Sequence, residues 1–199
     1  MIKKVLLIFL GSVFAFILYK SYHYDNIFQI LIYLLIGIPW IIIFIKSLLI
    51  FKKNNRDFST ILVGLLIFLL NVGIYSFYES KVNSESLIKA RIFGGYTDFK
   101  KNGEYVIISG SWASRTHFYG TYEMKDSIIT VDREKFDDVL TTNRFVIRKS
   151  DTLVTESYKD KDIIIDKYLI QIDKNGKEIK RKYNQQNYRL PILMNNLKE

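Results

Sequence analysis

The sequence predicts three transmembrane helices followed by an all-β domain, a small antiparallel barrel or sandwich. Three observations carry that reading. Apolar runs from Val5 to Tyr19, Phe28 to Ile45 and Ile61 to Tyr78 follow one another with only short polar breaks. After Ser80 the pattern changes to short alternating runs rich in Tyr, Phe, Ile, Val and Thr. Asn-Gly turns at Lys101-Asn102-Gly103 and Lys174-Asn175-Gly176 punctuate those runs with residues that tolerate positive φ in tight hairpins. The division gives a three-span region at 1–79, with spans over about 4–20, 28–50 and 60–78, and a β domain at 80–199 for which a small barrel is expected.

A span needs roughly 20 apolar residues at ~1.5 Å rise to cross a hydrocarbon core of ~30 Å. The first run is the shortest, and Lys3, Lys4 and Lys20 extend it by sending their charged ends to the interface. A lysine pair before an apolar run is also how a secretory leader begins, but Tyr19-Lys20-Ser21-Tyr22 is a poor cleavage site. The second run carries Gly37 and Pro39 at its middle with Trp40 beside them, so a kink is expected near Leu35 to Pro39. The third holds one amide, Asn71, which needs hydrogen-bond partners and is expected to act as packing glue between helices. No acidic residue lies within a run, which argues against a carboxylate proton or cation relay.

Charge sets the expected orientation. Seven basic residues before Ser80 stand against three acidic ones, which assigns +4 of the net +9 to the spans and leaves +5 for the tail. Lys3 and Lys4 precede the first run, while Lys52, Lys53 and Arg56 follow the second. The positive-inside rule then puts the amino terminus and the second loop in the cytoplasm. Three spans carry the tail to the outer face of a bacterial inner membrane, in the periplasm or outside the cell.

Along the tail the strands are expected at Leu87 to Phe93, Tyr96 to Lys100, Glu104 to Ser109, Phe118 to Met124, Ser127 to Asp132, Arg144 to Arg148, Thr152 to Tyr158, Tyr168 to Asp173 and Glu178 to Lys182. Arg133 to Leu140 reads as a helical turn or loop that carries Phe136, Val139 and Leu140 into the core. Tyr188 to Leu197, with Pro191, reads as an edge strand or a frayed end. Closure into a barrel would remove the exposed edges of such a meander.

Composition excludes several chemistries. Without cysteine there is no disulfide, thiol nucleophile or thiolate metal site, and two histidines, His23 and His117, do not make an imidazole cluster. The acidic group Asp132, Glu134, Asp137 and Asp138 lacks the ligand placement of a calcium loop, and no phosphate loop or dinucleotide fingerprint occurs. His117 has no partner that spacing alone identifies, so no catalytic residue is assigned. Alternation separates His117, Tyr119, Thr121 and Glu123 from Phe118, Gly120, Tyr122 and Met124, and Lys89, Arg91 and Phe93 from Ile88, Ala90 and Ile92. If the first set faces a cavity or rim, Arg91, Arg115, His117 and Tyr119 form a receptor for an anionic or aromatic ligand, with Trp112 as a stacking wall. Otherwise the arginines are solvated and Trp112 packs in the core or a loop.

The run Phe118-Tyr119-Gly120-Thr121-Tyr122-Glu123-Met124-Lys125-Asp126-Ser127-Ile128-Ile129-Thr130-Val131-Asp132, with the later Asn143-Arg144-Phe145-Val146-Ile147-Arg148, resembles the small lipocalin-like β domains of uncharacterised bacterial envelope proteins. The likeness covers Leu87 to Asp173 and lies in hairpin rhythm and the Gly-x-Tyr step. In layout the chain also resembles the membrane-anchored barrel effectors of anti-phage systems, which sense cyclic oligonucleotides and damage the membrane. That family needs its barrel in the cytoplasm, opposite to the side the charge pattern gives.

The leading expectation is a non-enzymatic inner-membrane protein that presents an extracytoplasmic β domain to a protein or small ligand, as a sensor, accessory factor or toxin-immunity protein. The anti-phage effector is the alternative, and an enzyme at the membrane surface is a third class. The partners implied are the lipid bilayer, a protein or small anionic ligand, and a second copy of the chain. The tail has no long basic run to hold nucleic acid, and no cofactor or metal is implied.

Overall fold

The structure, a computed structural model, describes residues 2–54, 58–134, 136, 139–158, 161–179 and 189–197. The chain divides after Ser80 into two compact units.

The first unit contains helices α1 (Ile2–Ser21), α2 (Gln29–Asn54) and α3 (Phe58–Asn83), with a three-residue extended segment, β1 (Tyr24–Asn26), between the first two. Each helix is long and apolar enough to cross a membrane. Their outward faces are large apolar side chains, as a helix in lipid requires, and one residue from each meets at the centre: Leu7, Trp40 and Ile67. Small residues allow that approach. A Cβ on Gly11 would lie 2.4 Å from Ile67 Cγ2, and one on Gly64 would lie 2.4 Å from Phe44. Helices in lipid lack a hydrophobic drive to associate, so close backbone packing of this kind holds them together. α2 runs on through Pro39 as one helix. At one end of the bundle Tyr22 and Tyr78 stack with ring centres 4.7 Å apart, Tyr19 and His23 lie at the same separation, and the Tyr22 hydroxyl donates to Glu79 at 3.1 Å. Aromatic girdles of this type sit at the headgroup level of a bilayer.

The second unit is a closed antiparallel barrel of eight strands: β2 (Ser86–Ile92), β3 (Gly95–Lys100), β4 (Glu104–Gly110), β5 (Ser114–Lys125), β6 (Ile128–Val131), β7 (Arg144–Tyr158), β8 (Lys161–Gln171) and β9 (Arg189–Asn195). Every strand pairs with the next, and β9 returns to β2 with Ile88 opposite Asn195 and Ala90 opposite Ile192. The sandwich is thereby excluded. Of the segment from Tyr188 to Leu197, expected as an edge strand or a frayed end, β9 is neither, because it is hydrogen-bonded on both sides, and Tyr188 lies outside the described residues. The two runs expected at Arg144 to Arg148 and Thr152 to Tyr158 are one strand, and the apparent break between them is a register irregularity between Lys149 and Val154. Of the strand expected at Glu178 to Lys182, Glu178 makes an isolated bridge to Ile172, and 180–182 lie outside the described residues.

The inner face is filled. Phe99, Tyr105, Phe118 and Phe145 come from four strands, and Phe136 enters from the β6–β7 connection with its ring 5.5 Å from that of Phe118. Leu140 is buried and Val139 packs against the same core, with the Val139 N–H donating to the Phe136 carbonyl at 2.8 Å. The Gly-x-Tyr step has a physical basis: a Cβ on Gly120 would lie 2.3 Å from Asp132 Oδ1 and 2.7 Å from Tyr105 Oη. The bare backbone lets the Tyr105 hydroxyl donate to Asp132 at 3.1 Å, and two residues on the Tyr122 hydroxyl donates to the Lys100 carbonyl at 2.7 Å.

Candidate functional site

Strand register decides which of the sequence-selected side chains come together. Arg91 lies opposite Tyr96, Tyr96 opposite Ile108, and Ile108 opposite His117. One row along, Lys89 lies opposite Asp98, Asp98 opposite Val106, and Val106 opposite Tyr119. Residues directly opposite in a sheet share a face. Because Ala90, Ile92, Ile107 and Phe118 of the other parity belong to the core, these rows form a strip on the outer wall of β2–β5. Arg91, His117 and Tyr119 are therefore gathered on the wall and none lines the interior. His117 Nδ1 and Tyr119 Oη are 3.5 Å apart, at the limit of a hydrogen bond. Arg115 stands one step further, opposite Gly110, and Trp112 projects from the β4–β5 turn with 84% of its surface exposed.

The strip also contains charge that is withdrawn from water. Asp98 is 2% exposed, and its Oδ2 accepts from Ser86 Oγ at 3.0 Å and Lys100 Nζ at 2.9 Å, with Lys89 Nζ at 3.5 Å. The Lys100 ammonium spends its other donors on the carbonyls of Val82 (2.7 Å) and Ser84 (3.0 Å). A buried charge is tolerated when it is paired and hydrogen-bonded in this way. The arrangement fastens the lead into β2 to the barrel, with a second ion pair, Lys81 to Glu104, beside it. The Lys81 hydrogen bond holds the Glu104 carboxyl below its ordinary range against the opposing effect of desolvation. Lys89 Nζ also lies 3.8 Å from the centre of the Tyr96 ring, a cation–π contact.

In the spans, Asn71 Nδ2 donates to the Ile67 carbonyl of its own helix at 2.8 Å, while Oδ1 is buried without a hydrogen-bond partner among the described residues. Trp40, next to Pro39, likewise buries its indole nitrogen without an acceptor among them.

A second feature was not selected from sequence. On the outer wall of β7–β9 a cleft of about 300 Å³ is lined by Arg148, Lys149, Arg189 and Glu178, with Arg189 3.0 Å and Arg148 3.7 Å from the Glu178 carboxylate. The two arginines are 41 residues apart in sequence, and only the pairing of β9 with β8 makes them neighbours. A reading that left the last segment as an edge or a fray had no means of finding them. Buried hydroxyls elsewhere in the barrel are inert as acids: burial, followed by the charge of Asp132, pushes Tyr105 well above the ordinary phenol range, and burial does the same to Tyr122. Compared with known proteins, the chain matches no family model, no curated protein and no solved structure, so its function is argued from these residues alone.

Proposed function

We propose that this chain is a membrane-anchored recognition protein that presents its barrel on the outer side of a bacterial inner membrane and binds a partner protein through the outer wall of β2–β5. The observation that carries the reading is the filled interior: Phe99, Tyr105, Phe118, Phe136 and Phe145 occupy the space in which a small-ligand barrel would hold its ligand. Recognition then falls to the wall. The strip and its turn present exposed Trp112 and Phe93, with Arg91, Arg115, His117 and Tyr119 beside them, each of which already has a contact within the chain, and Trp, Tyr and Arg are the residue types that dominate binding energy at protein interfaces. A sensor, accessory or immunity role fits such a surface, and none requires chemistry.

Site-specific photo-cross-linking in living cells tests this. A benzophenone residue at Trp112 or Tyr119 gives one discrete adduct, and the same residue at Asn175 does not. Equal, diffuse adducts at all three positions contradict the proposal.

One observation favours the alternative, in which the barrel senses a nucleotide and the spans act on the bilayer. The orphaned Trp40 and Asn71 atoms leave hydrogen-bonding capacity unused within the spans, and a rearranged or oligomeric bundle would use it. That reading predicts that Asn71→Leu abolishes membrane permeabilisation while leaving the barrel folded.

A further inference from the structure

We propose that Asn175 is a site of spontaneous covalent modification, where the Gly176 nitrogen attacks the side chain and expels its amide as ammonia, and that the fold protects Asn102 from the same reaction. The two residues make a natural comparison. Each is the centre of a Lys-Asn-Gly sequence, Lys101-Asn102-Gly103 and Lys174-Asn175-Gly176, and each is exposed. Both turns have the same backbone form. Gly103 and Gly176 sit at φ of 83° and 79°, and their N–H groups donate to the carbonyls of Lys100 at 3.2 Å and Asp173 at 3.1 Å. Glycine is the favourable successor because it carries no Cβ to crowd the attack, and a Cβ on either one would meet nothing within 4 Å. Neighbouring atoms therefore obstruct neither ring closure.

The carboxamides differ. Asn102 is held at both ends: Oδ1 accepts from the Glu104 N–H at 3.1 Å, and Nδ2 donates to Glu104 Oε2 at 3.0 Å, on a carboxylate that Lys81 itself anchors. In the second turn the corresponding N–H belongs to Lys177, and Asp173 Oδ1 takes it at 2.8 Å together with the Asn175 N–H at 2.9 Å. The Asn175 carboxamide is left with no hydrogen bond among the described residues. Attack needs the side chain to turn Cγ toward the next nitrogen. Beyond the glycine bond that both turns must release, Asn102 has two hydrogen bonds to break and Asn175 has none.

The reaction balances with water as its one co-reactant. A bond forms between Asn175 Cγ and Gly176 N, which gives its proton to solvent; the Cγ–Nδ2 bond breaks, and Nδ2 leaves as ammonia with a proton from solvent. Water then opens the five-membered imide at either carbonyl. Breaking the bond from nitrogen to Cγ gives an aspartate at this position, and breaking the bond from nitrogen to the backbone carbonyl carbon gives an isoaspartate, whose chain is one methylene longer. Either product adds a negative charge to the turn. The longer one is expected to draw the backbone N–H groups at 175 and 177 away from Asp173.

The test follows the full chain in phosphatidylcholine nanodiscs, incubated in mildly alkaline buffer. Chymotryptic peptides are read by mass spectrometry, with electron-transfer fragmentation to separate isoaspartate from aspartate. Conversion at Asn175 is expected to be at least about tenfold faster than at Asn102, the factor that two hydrogen bonds of ordinary net strength supply. It is also expected to quicken as pH rises, because the attacking nitrogen must lose its proton. A sample unfolded in guanidinium chloride is the control, since the shared Lys-Asn-Gly sequence then converts at similar rates at both sites. Asn102 converting as fast as Asn175 in the folded chain, or Asn175 staying intact over the time in which the unfolded chain converts, would overturn the proposal. So would the same preference for Asn175 in the unfolded chain, which would assign it to sequence and not to the fold.

Discussion

At the scale of single residues, the barrel depends on a few positions where no substitute fits. Gly120 is one, since any side chain there meets Asp132 and Tyr105 at less than 3 Å. Gly120→Ala is expected to cost about 1–3 kcal/mol through overpacking, read as a lower unfolding midpoint of the barrel. Lys100 is another. Replacing it with Met leaves the Asp98 carboxylate and two carbonyls without their shared donor, and breaking a buried pair from one side costs about 3–5 kcal/mol. The Asp98→Asn, Lys100→Met double variant recovers part of that loss, because the buried carboxylate charge is gone, but not all of it, because Lys89 loses the same partner. Glu104 gives a pH signature. Its folded carboxyl ionises below the ordinary range, so its stabilising contribution is fully present above the ordinary carboxylate pKa and is lost as pH falls through the lower folded value. Acid denaturation followed by tryptophan fluorescence is therefore shallower for Glu104→Gln in that window. An identical profile would remove the Lys81 pair from the account. The Gly-x-Tyr step was visible in the sequence as a rhythm, but its cause was not, because Asp132 and Tyr105 reach Gly120 only across the closed sheet.

At the scale of elements, periodicity made most of the molecule legible. Alternation separated Ile88, Ala90 and Ile92 from Lys89 and Arg91, and the structure puts the first set in the core. Phe136 and Leu140, expected in the core from a helical turn or loop, are buried there. Alternation failed where it weakens. β5 begins at Ser114, earlier than the apolar signal at Phe118, because Ser114, Arg115 and Thr116 pair by backbone alone. β9 contains Pro191, a residue that usually argues against an interior strand, yet it pairs with Tyr168 while the rest of β9 closes the barrel. The β7–β9 cleft was illegible for the same reason, as it exists only once β9 is placed. Among the helices, small residues carry the packing. Gly64→Val forces Phe44 and Leu7 apart, and the expected result is a lower melting temperature for the span region in nanodiscs with the barrel transition unchanged. Coincident shifts in both transitions would show that the two units do not unfold separately.

At the scale of the whole molecule, three features come together: helices long and apolar enough to cross a bilayer, a barrel whose interior is already occupied, and a wall that gathers cationic and aromatic groups. The spans and a small barrel were foreseeable from hydropathy and hairpin rhythm, but whether the barrel is hollow or filled was not. The third needed strand register, since Arg91, His117 and Tyr119 come from different strands and lie together only through the rows that cross β3 and β4. What the barrel can meet depends on the side of the membrane it occupies, and the proposed function needs it on the outside. The absence of cysteine makes a clean measurement available. A single cysteine is placed at Asn175, in the exposed β8–β9 connection, and in a second variant at Lys52, at the end of α2. Intact cells are then treated with a membrane-impermeant maleimide that crosses the outer envelope. The account predicts labelling of Asn175→Cys in intact cells and of Lys52→Cys only after lysis. The reverse pattern would put the barrel in the cytoplasm and contradict the proposed function at its foundation.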